Sequence, residues 1–258
     1  MEANLAIELG ADVYGSVASV HSHSDGHKSS ISGPGVGNYI TMAKCAADAE
    51  KEIGLKHLRQ NTFVHAHGTG TPANRTTESH ILNEIANTFG IKKWPITAIK
   101  SYLGHSMAPA SGDQLVASLG TWNKGIIPGI HSTDTLADDV YSEHLDILLE
   151  DKMEEQNFYR GCFLNAKGFG GNNASAFILS PEETQIKMKG LVVKNKYNQY
   201  LRSLGETQKK SSQYNRSCLK GDYKVTYKFN ENVLNGETDI EISRKGMKLK
   251  GFKNQIKF

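Results

Sequence analysis

The sequence lacks several features that would place it in other classes of protein. No apolar run approaches the roughly 18 residues that a membrane-spanning helix needs. The first residues carry no basic segment followed by an apolar core, so we expect no secretory signal. The three cysteines, Cys45, Cys162 and Cys218, have a wide spacing that fits neither a disulfide framework nor a metal site. These absences favour a globular protein of a reducing cytoplasm, with no membrane span.

Charge is unevenly distributed along the 258 residues. Residues 1–180 contain 13 Lys and Arg against 19 Asp and Glu, whereas residues 181–258 contain 17 against 8. A basic tail on an acidic body favours a second module, or an arm for an acidic partner. The alternative is a solvated lysine-rich surface, which charge runs commonly form.

Hydrophobic periodicity predicts an α/β core over the first 180 residues. Short apolar strands alternate with amphipathic helices, which indicates a layered fold with at least partly parallel strands. Leu5–Leu9 is predicted to be the last part of a helix that Gly10 ends. Further helices are predicted over Tyr39–Ile53, Glu78–Phe89 and Leu115–Asn123, of which the first two are expected to end at Gly54 and Gly90. The predicted strands are Asp12–Val20, Thr62–Ala66, Ile96–Ile99, Phe163–Ala166 and Ala174–Leu179.

The remaining sequence predicts a smaller module that begins with a helix. Tyr223–Phe229 and Thr238–Ser243 alternate with the two-residue period of strands. Asn235-Gly236 lies between them and is a strong hairpin-turn signal. We therefore predict two domains, an α/β body over residues 1–180 and a small basic α+β appendage over residues 181–258.

Three glycine-rich clusters carry the residues with chemical potential. HGTGTP at residues 67–72 and KSYLGH at residues 100–105 each follow a predicted strand, and NAKGFGGNN at residues 165–173 joins the last two strands of the body. Glycines let backbone N–H groups approach a ligand, as an oxyanion site requires. Taken singly, each cluster also has a structural explanation, such as a surface lysine or an ordinary glycine turn.

In this order, the three motifs resemble the C-terminal half of the β-ketoacyl synthases. The resemblance covers residues 3–180, and it is strongest to bacterial fatty-acid elongating synthases with a C-terminal extension. It implies a thiolase-like layered α/β sandwich, usually a homodimer, that condenses malonyl-acyl-carrier protein with an acyl thioester. The partner implied is acyl carrier protein, and no cofactor is implied because the substrate carries the phosphopantetheine. Nucleic-acid binding is not expected, since no such motif accompanies the basic charge.

The resemblance also implies a role for each residue of the site. His67 and His105 would hydrogen-bond the malonyl thioester carbonyl while Lys100 supplies fixed positive charge, and these three would be catalytic. The other implied site residues are Thr69 and Thr71 for the pantetheine, Phe169 as gate of the acyl pocket and oxyanion donor, and Glu78, Asn165 and Gly170 as supports. No metal ligand is implied.

This sequence departs from the family pattern at several positions. Asn74-Arg75 stands where many relatives have Gly-Asp, and Lys167 replaces an aromatic or small residue just before the gating Phe. The glutamate expected on the helix after the second histidine falls at Leu115, with Gln114 or Asp113 as substitutes. The hydrogen-bond network and the acyl-chain specificity are therefore left open.

The family's nucleophilic cysteine has no counterpart in this sequence. It lies far upstream of the HGTGT histidine, whereas 66 residues precede His67 here. Cys45 is predicted mid-helix among alanines, where burial keeps a thiol inert. We therefore expect a split or truncated synthase, inactive without a complementing N-terminal half. The alternatives are a non-catalytic chain-length or binding subunit, and an inactive fragment.

Overall fold

The chain forms two compact units, Met1–Thr207 and Gln208–Phe258. The computed structural model describes residues 1–26, 35–225, 229–231 and 233–258. The break between the units follows Thr207, so residues 181–207 belong to the first unit. The division into functional domains at residue 180 stays a prediction.

Seven helices and eleven strands are found in the described residues. The helices are α1 (Ala3–Leu9), α2 (Val36–Gln60), α3 (Pro72–Phe89), α4 (Lys100–Leu103), α5 (Ala110–Lys124), α6 (Pro181–Leu191) and α7 (Lys194–Leu219). The strands are β1 (Ser16–Ser24), β2 (Thr62–His65), β3 (Trp94–Thr97), β4 (Ile126–Ile127), β5 (Leu145–Ile147), β6 (Lys152–Met153), β7 (Gly161–Gly168), β8 (Asn172–Leu179), β9 (Ile240–Ser243), β10 (Gly246–Leu249) and β11 (Ile256–Lys257).

The first unit is built on a mixed six-stranded sheet. Its strand order is β1-β8-β7-β2-β3-β5, and β4 pairs with β6 in a separate two-stranded ladder. The strands β7, β2, β3 and β5 run parallel to one another, whereas β8 is antiparallel to both β7 and β1. A parallel pair requires a crossover connection, and α3 provides it between β2 and β3. The three-residue turn from β7 to β8 makes the antiparallel hairpin.

Helices cover both faces of this sheet, because successive side chains of each central strand point to opposite sides. On one face, Val64, Phe163 and Phe177 pack with side chains of α2 and α3. On the other face, Phe63 and Cys162 pack with side chains of α5. The α/β layered fold predicted from the sequence is confirmed.

Several predicted helices and strands begin or end at other residues in the structure. The helix predicted over Tyr39–Ile53 ends as expected at Gly54, which has non-helical backbone angles (φ 78°, ψ 153°), and a second helical segment, joined to the first across this kink, extends α2 to Gln60. The first strand is displaced to Ser16–Ser24, into the predicted polar loop, whose residues 27–34 lie outside the described part of the chain. The helix after HGTGT begins at Pro72, since proline suits the first helical turn.

The second unit contains a three-stranded antiparallel sheet in the order β11-β10-β9. Its hairpin turns at Arg244-Lys245, and β9 lies within the predicted strand Thr238–Ser243. A turn also forms at Asn235-Gly236, where the Thr238 N–H donates to the Asn235 carbonyl, but it joins no two strands of the described residues. The strand predicted at Tyr223–Phe229 falls partly on residues 226–228, which are not described, and its described residues form no strand.

Two structural features are absent from the described residues. No helix there is long and apolar enough to cross a membrane. Within the same ranges, no group of three or more His, Cys, Asp and Glu side chains is arranged to hold a metal ion.

Candidate active site

The three sequence clusters meet at one cleft of the first unit, with a volume of about 1160 Å³. They meet because they follow β2, β3 and β7, which are neighbouring parallel strands whose carboxyl ends share one edge of the sheet. Side chains from all three clusters line the cleft, among them His67, Thr69, Thr71, His105, Lys167 and Phe169.

The two histidines of the clusters lie in edge-to-face contact. The ring centroids of His67 and His105 are 5.4 Å apart, and the ring planes make an angle of 80°. The Nδ1 atom of His67 accepts a hydrogen bond from the Lys167 backbone N–H at 3.2 Å. The Nδ1 atom of His105 accepts one from the Met107 N–H at 3.1 Å. Each neutral imidazole therefore carries its proton on Nε2.

Both imidazoles are neutral at pH 7 because the cleft disfavours their charged form. Burial lowers the pKa of His67 to about 4, and the positive charges of Lys100 and Lys167 act in the same direction while Glu78 opposes them. Burial and then the charge of Lys100 lower the pKa of His105. Two N–H donors on one cleft suit an oxygen atom that gains negative charge.

Glu78 anchors the loop that carries the first histidine. Its buried carboxylate accepts hydrogen bonds from the backbone N–H groups of His67 at 2.7 Å and Gly68 at 2.9 Å. It also accepts bonds from the side-chain amides of Asn74 at 2.9 Å and Asn165 at 2.7 Å. The four donors fix the position of the loop, and Asn74 acquires a role that the sequence left open.

Asn165 joins this network to α2 through a reciprocal amide pair. Its Oδ1 accepts from Asn38 Nδ2 at 2.7 Å, and its Nδ2 donates to Asn38 Oδ1 at 3.1 Å. Both side chains are buried. Asn38 was not predicted from the sequence. The one sequence feature that could have indicated it is a polar residue in the first turn of an otherwise apolar helix face.

Gln114, one of the two residues of α5 that could substitute for the expected glutamate, is buried and hydrogen-bonded. Its buried side-chain amide donates to the backbone carbonyl groups of Ala66 and Asn165, both at 3.0 Å. It therefore joins the chain just after β2 to β7 from beneath the cleft. Leu115 instead packs against the core on the α5 face, and Asp113 accepts a hydrogen bond from Ser106.

Two lysines lie near the first histidine, Lys100 half-buried and Lys167 buried. The Nζ atom of Lys100 donates to the backbone carbonyl of His67. Burial lowers the pKa of Lys100, and that of Lys167 is lowered by the same cause. The side chain of Lys167 is 5% exposed, and its Nζ has no hydrogen-bond partner among the described residues.

The predicted gate lies at the tip of the turn between β7 and β8. The Phe169 side chain is 72% exposed, and Gly170 and Gly171 follow it with φ of 77° and 74°, which only glycine adopts readily. The hydroxyl oxygens of Thr69 and Thr71 are 3.5 Å apart at the rim of the same cleft.

The cysteines of the first unit are structural. Cys45 is fully buried in α2, and burial raises its pKa to about 11. Cys162 is fully buried in β7, and burial raises its pKa to about 12. Neither thiol is among the groups that line the cleft. Cys218 belongs to α7, in the second unit.

Part of the chain matches a known domain family. The model of the domain family "Beta-ketoacyl synthase, C-terminal domain" matches residues 14–134. The whole chain also aligns with a curated synthase, at 43% identity over 256 residues. The chain belongs to the β-ketoacyl synthase family. Its relatives also include the fatty acid synthase subunit alpha of Saccharomyces cerevisiae, which is 25% identical over 57% of this chain and 8% of its own length.

The curated relative is the β-ketoacyl-acyl-carrier-protein synthase FabY of Pseudomonas aeruginosa, of which this chain covers 40%. The crystal structure of FabY superposes on all of this chain with a TM-score of 0.90 and 42% identity. The 3-oxoacyl-acyl-carrier-protein synthase 1 of Haemophilus influenzae is 28% identical over 67% of this chain and 39% of its own length. The ishigamide ketosynthase/chain length factor matches 69% of the chain with a TM-score of 0.54. The fold is therefore the thiolase-like fold of ketosynthases, and the chain spans about two fifths of these relatives.

Proposed function

We propose that this chain supplies the decarboxylating half of a synthase site that condenses malonyl-acyl-carrier protein with an acyl thioester in fatty acid synthesis. The observation that carries the proposal is the pair of histidine rings on one cleft, in which Nδ1 of each ring accepts a backbone N–H and Nε2 is left to donate. The name of FabY and its identity to this chain support the reaction class.

The first step would use the two histidines. The carbon–carbon bond to the malonyl carboxylate breaks, CO₂ leaves as a neutral molecule, and the electron pair forms an enolate. Its negative charge develops on the thioester oxygen, where the Nε2–H groups of His67 and His105 would donate hydrogen bonds. Lys100 would help to position the loop that carries His67, and its positive charge would favour the negative charge that develops on the thioester oxygen.

The second step would use the turn that follows β7. The carbanion attacks the acyl thioester carbon, a new carbon–carbon bond forms, and the thiolate leaves. The backbone N–H of Phe169 would stabilise the oxyanion of this step. Gly170 permits backbone conformations that other residues rarely adopt, and these would let the Phe169 side chain gate the acyl pocket. Thr69 and Thr71 would bind the pantetheine amides at the rim.

The acylated thiol would come from outside this sequence. Cys45 and Cys162 have raised pKa values and lie in apolar cores, so neither is a ready nucleophile. We propose that the His/His/Lys half acts with an N-terminal half that provides the cysteine, and that it is inactive without it. A homodimer, a cytoplasmic location and acyl carrier protein as partner belong to the same proposal.

The alternative is a non-catalytic chain-length or binding subunit. The similarity to a ketosynthase/chain length factor supports this alternative. Intact His67, Lys100 and His105 favour the catalytic assignment, because a binding subunit has no need of two neutral N–H donors in one cleft. An inactive fragment is the third reading.

The test is formation of 3-oxoacyl-acyl-carrier protein from acyl- and malonyl-carrier protein. The chain is assayed alone and after co-expression with the part of FabY that it does not cover. Product in the mixture and none from the chain alone is the expected result. Product from the chain alone would contradict the missing-nucleophile argument, and none from a folded complex would favour the binding subunit.

A further inference from the structure

The side chain of Gln114 on α5 makes its hydrogen bonds as a donor. Its Nε2 atom is 3.0 Å from the backbone carbonyl oxygens of Ala66 and Asn165, and 3.4 Å from that of His65. The residue is 1% exposed, and its Oε1 atom has no hydrogen-bond partner among the described residues. A flipped amide would place Oε1 against three carbonyl oxygens, so the environment itself selects the orientation with the N–H groups toward them.

Glu78 on α3 has the opposite polarity, because its buried carboxylate accepts hydrogen bonds. Both side chains bind the same peptide group, the one that joins Ala66 to His67. Gln114 donates to its carbonyl oxygen at 3.0 Å, and Glu78 accepts from its N–H at 2.7 Å. The helices α3 and α5 pack on opposite faces of the sheet. The peptide that precedes the first histidine is therefore held from both sides.

Asn165 on β7 is held by the same two side chains. Its backbone carbonyl accepts from Gln114 at 3.0 Å, and its side-chain amide donates to Glu78 at 2.7 Å. Two residues further along the strand, the Lys167 N–H donates to Nδ1 of His67. Gln114 thus connects the strand end that carries His67 with the strand that supplies the hydrogen bond to its ring.

We propose that Gln114 is a positioning residue whose N–H groups form the donor side of a clamp on the Ala66–His67 peptide, with Glu78 as the acceptor side, and that a carboxylate cannot replace it. Gln114 acts on the reaction through the position of His67, without contact with substrate. The family pattern has a glutamate on this helix. An ionised glutamate at position 114 has no hydrogen to donate and would face three carbonyl oxygens. The inference deepens the proposed function and rests on it for its catalytic consequence.

Gln114→Glu tests the polarity of this position, because the two side chains have the same shape. A protonated carboxyl group donates one O–H, whereas an ionised one donates none. Burial and the facing carbonyl oxygens should raise the pKa of the new carboxyl above that of a glutamate in an unfolded chain. The variant should therefore lose function as the pH rises and regain it as the pH falls, relative to the wild type at each pH.

The effect on chemistry is measured as CO₂ release from malonyl-acyl-carrier protein by the chain complexed with its complementing half. At pH 7.5 we expect kcat of Gln114→Glu to be about 10²-fold below wild type, because His67 is displaced. The value of KM should change less than about threefold, since Thr69 and Thr71 are unaltered. At pH 5.5 the kcat ratio of variant to wild type should rise at least about tenfold.

Two further variants control for size and for charge. Gln114→Met has a similar length and no donor, so its kcat should be low at both pH values. Asn123→Asp makes the same amide-to-carboxylate change at an exposed position of α5 and should match wild type at both. The buffer contains only a bulky organic cation, because a small metal cation can bridge a carboxylate and carbonyl oxygens.

Stability gives a second measurement that needs no activity. Relative to wild type, the unfolding equilibrium constant of Gln114→Glu should rise by up to about tenfold per pH unit between pH 5 and pH 7, because the folded variant keeps a proton that the unfolded chain releases. Urea denaturation of the chain measures this slope, and Asn123→Asp should lack it. If neither wild type nor variants release CO₂ while the slope is found, the clamp stands and the synthase function fails.

Four results would overturn the proposal. A kcat of Gln114→Glu equal to wild type at pH 7.5 means that a carboxylate serves as well. An equal loss at both pH values means that polarity is not responsible. Full activity in Gln114→Met means that no donor is needed. Lower stability with unchanged kcat of the folded protein means that Gln114 is structural only. If Gln114→Met does not fold, Gln114→Glu compared with itself at the two pH values decides the question.

Discussion

The two units of this chain differ in burial, because the buried hydrophobic side chains of the described residues all lie in the first unit. In Met1–Thr207, polar groups such as Glu78 are buried and held by several donors. In Gln208–Phe258, apolar groups such as Ile242 (70% exposed) and Phe258 (72% exposed) are in contact with solvent. The first unit fixes the positions of its atoms through many long-range contacts, whereas the second is held mainly by the ladder of a small sheet. Sequence changes should therefore act on chemistry and stability in the first unit and only locally in the second.

The largest expected effect comes from removing the carboxylate that anchors the first histidine. Glu78→Ala leaves four donors in the interior without an acceptor, which should destabilise the first unit by about 3–5 kcal/mol. Urea denaturation followed by tryptophan fluorescence measures it, since Trp94 and Trp122 are both buried in this unit. Glu84→Ala, at an exposed position of α3, is the matched control and should change stability by less than about 0.5 kcal/mol.

A matched pair of isoleucines tests the contrast between the units. Ile81 of α3 is fully buried, and its substitution by Ala should cost about 2–5 kcal/mol. Ile242→Ala removes the same atoms from an exposed strand position and should cost less than about 0.5 kcal/mol. Denaturation followed by circular dichroism measures both. A loss at Ile242 as large as that at Ile81 would show that the second unit buries this face in solution.

A smaller effect is expected from a histidine outside the cleft. His65 is fully buried, neither ring nitrogen has a partner among the described residues, and burial lowers its pKa to about 3. The unfolded chain binds a proton at His65 near pH 6.5, and the folded chain does not. The contribution of His65 to the free energy of unfolding is therefore fully present above about pH 6.5. It falls by about 1.4 kcal/mol per pH unit as the pH falls toward 3.

His65→Leu should flatten this acid loss while leaving stability at pH 7 within about 1 kcal/mol, because an unpartnered polar group is removed. The denaturation midpoint is compared at pH 7 and pH 5. His67 acts in the same direction down to its pKa of about 4, so part of the loss remains. An identical acid loss in His65→Leu would contradict the assignment.

Hydrophobic periodicity predicted the α/β core, and the resemblance carried by the three motifs predicted the fold family and the site residues. The strand order then shows that the motifs lie at one edge of the sheet. The sequence could not choose between Gln114 and Asp113 as the substitute for the glutamate, nor find Asn38, because the contacts of Gln114 and Asn38 are with residues more than 45 positions away along the chain. A turn forms at Asn235-Gly236 because its signal is local, while the hairpin at Arg244-Lys245 is decided by which strands meet.

The most direct measurement is CO₂ release from malonyl-acyl-carrier protein in the absence of any acyl donor. It isolates the step assigned to the two imidazoles from acylation of the cysteine. With the chain complexed to its complementing half, we predict release by the wild type and a loss of about 10²–10³-fold in His67→Ala and in His105→Ala. Equal release by wild type and both variants, all shown to be folded, would contradict the central claim that these two N–H donors stabilise the enolate.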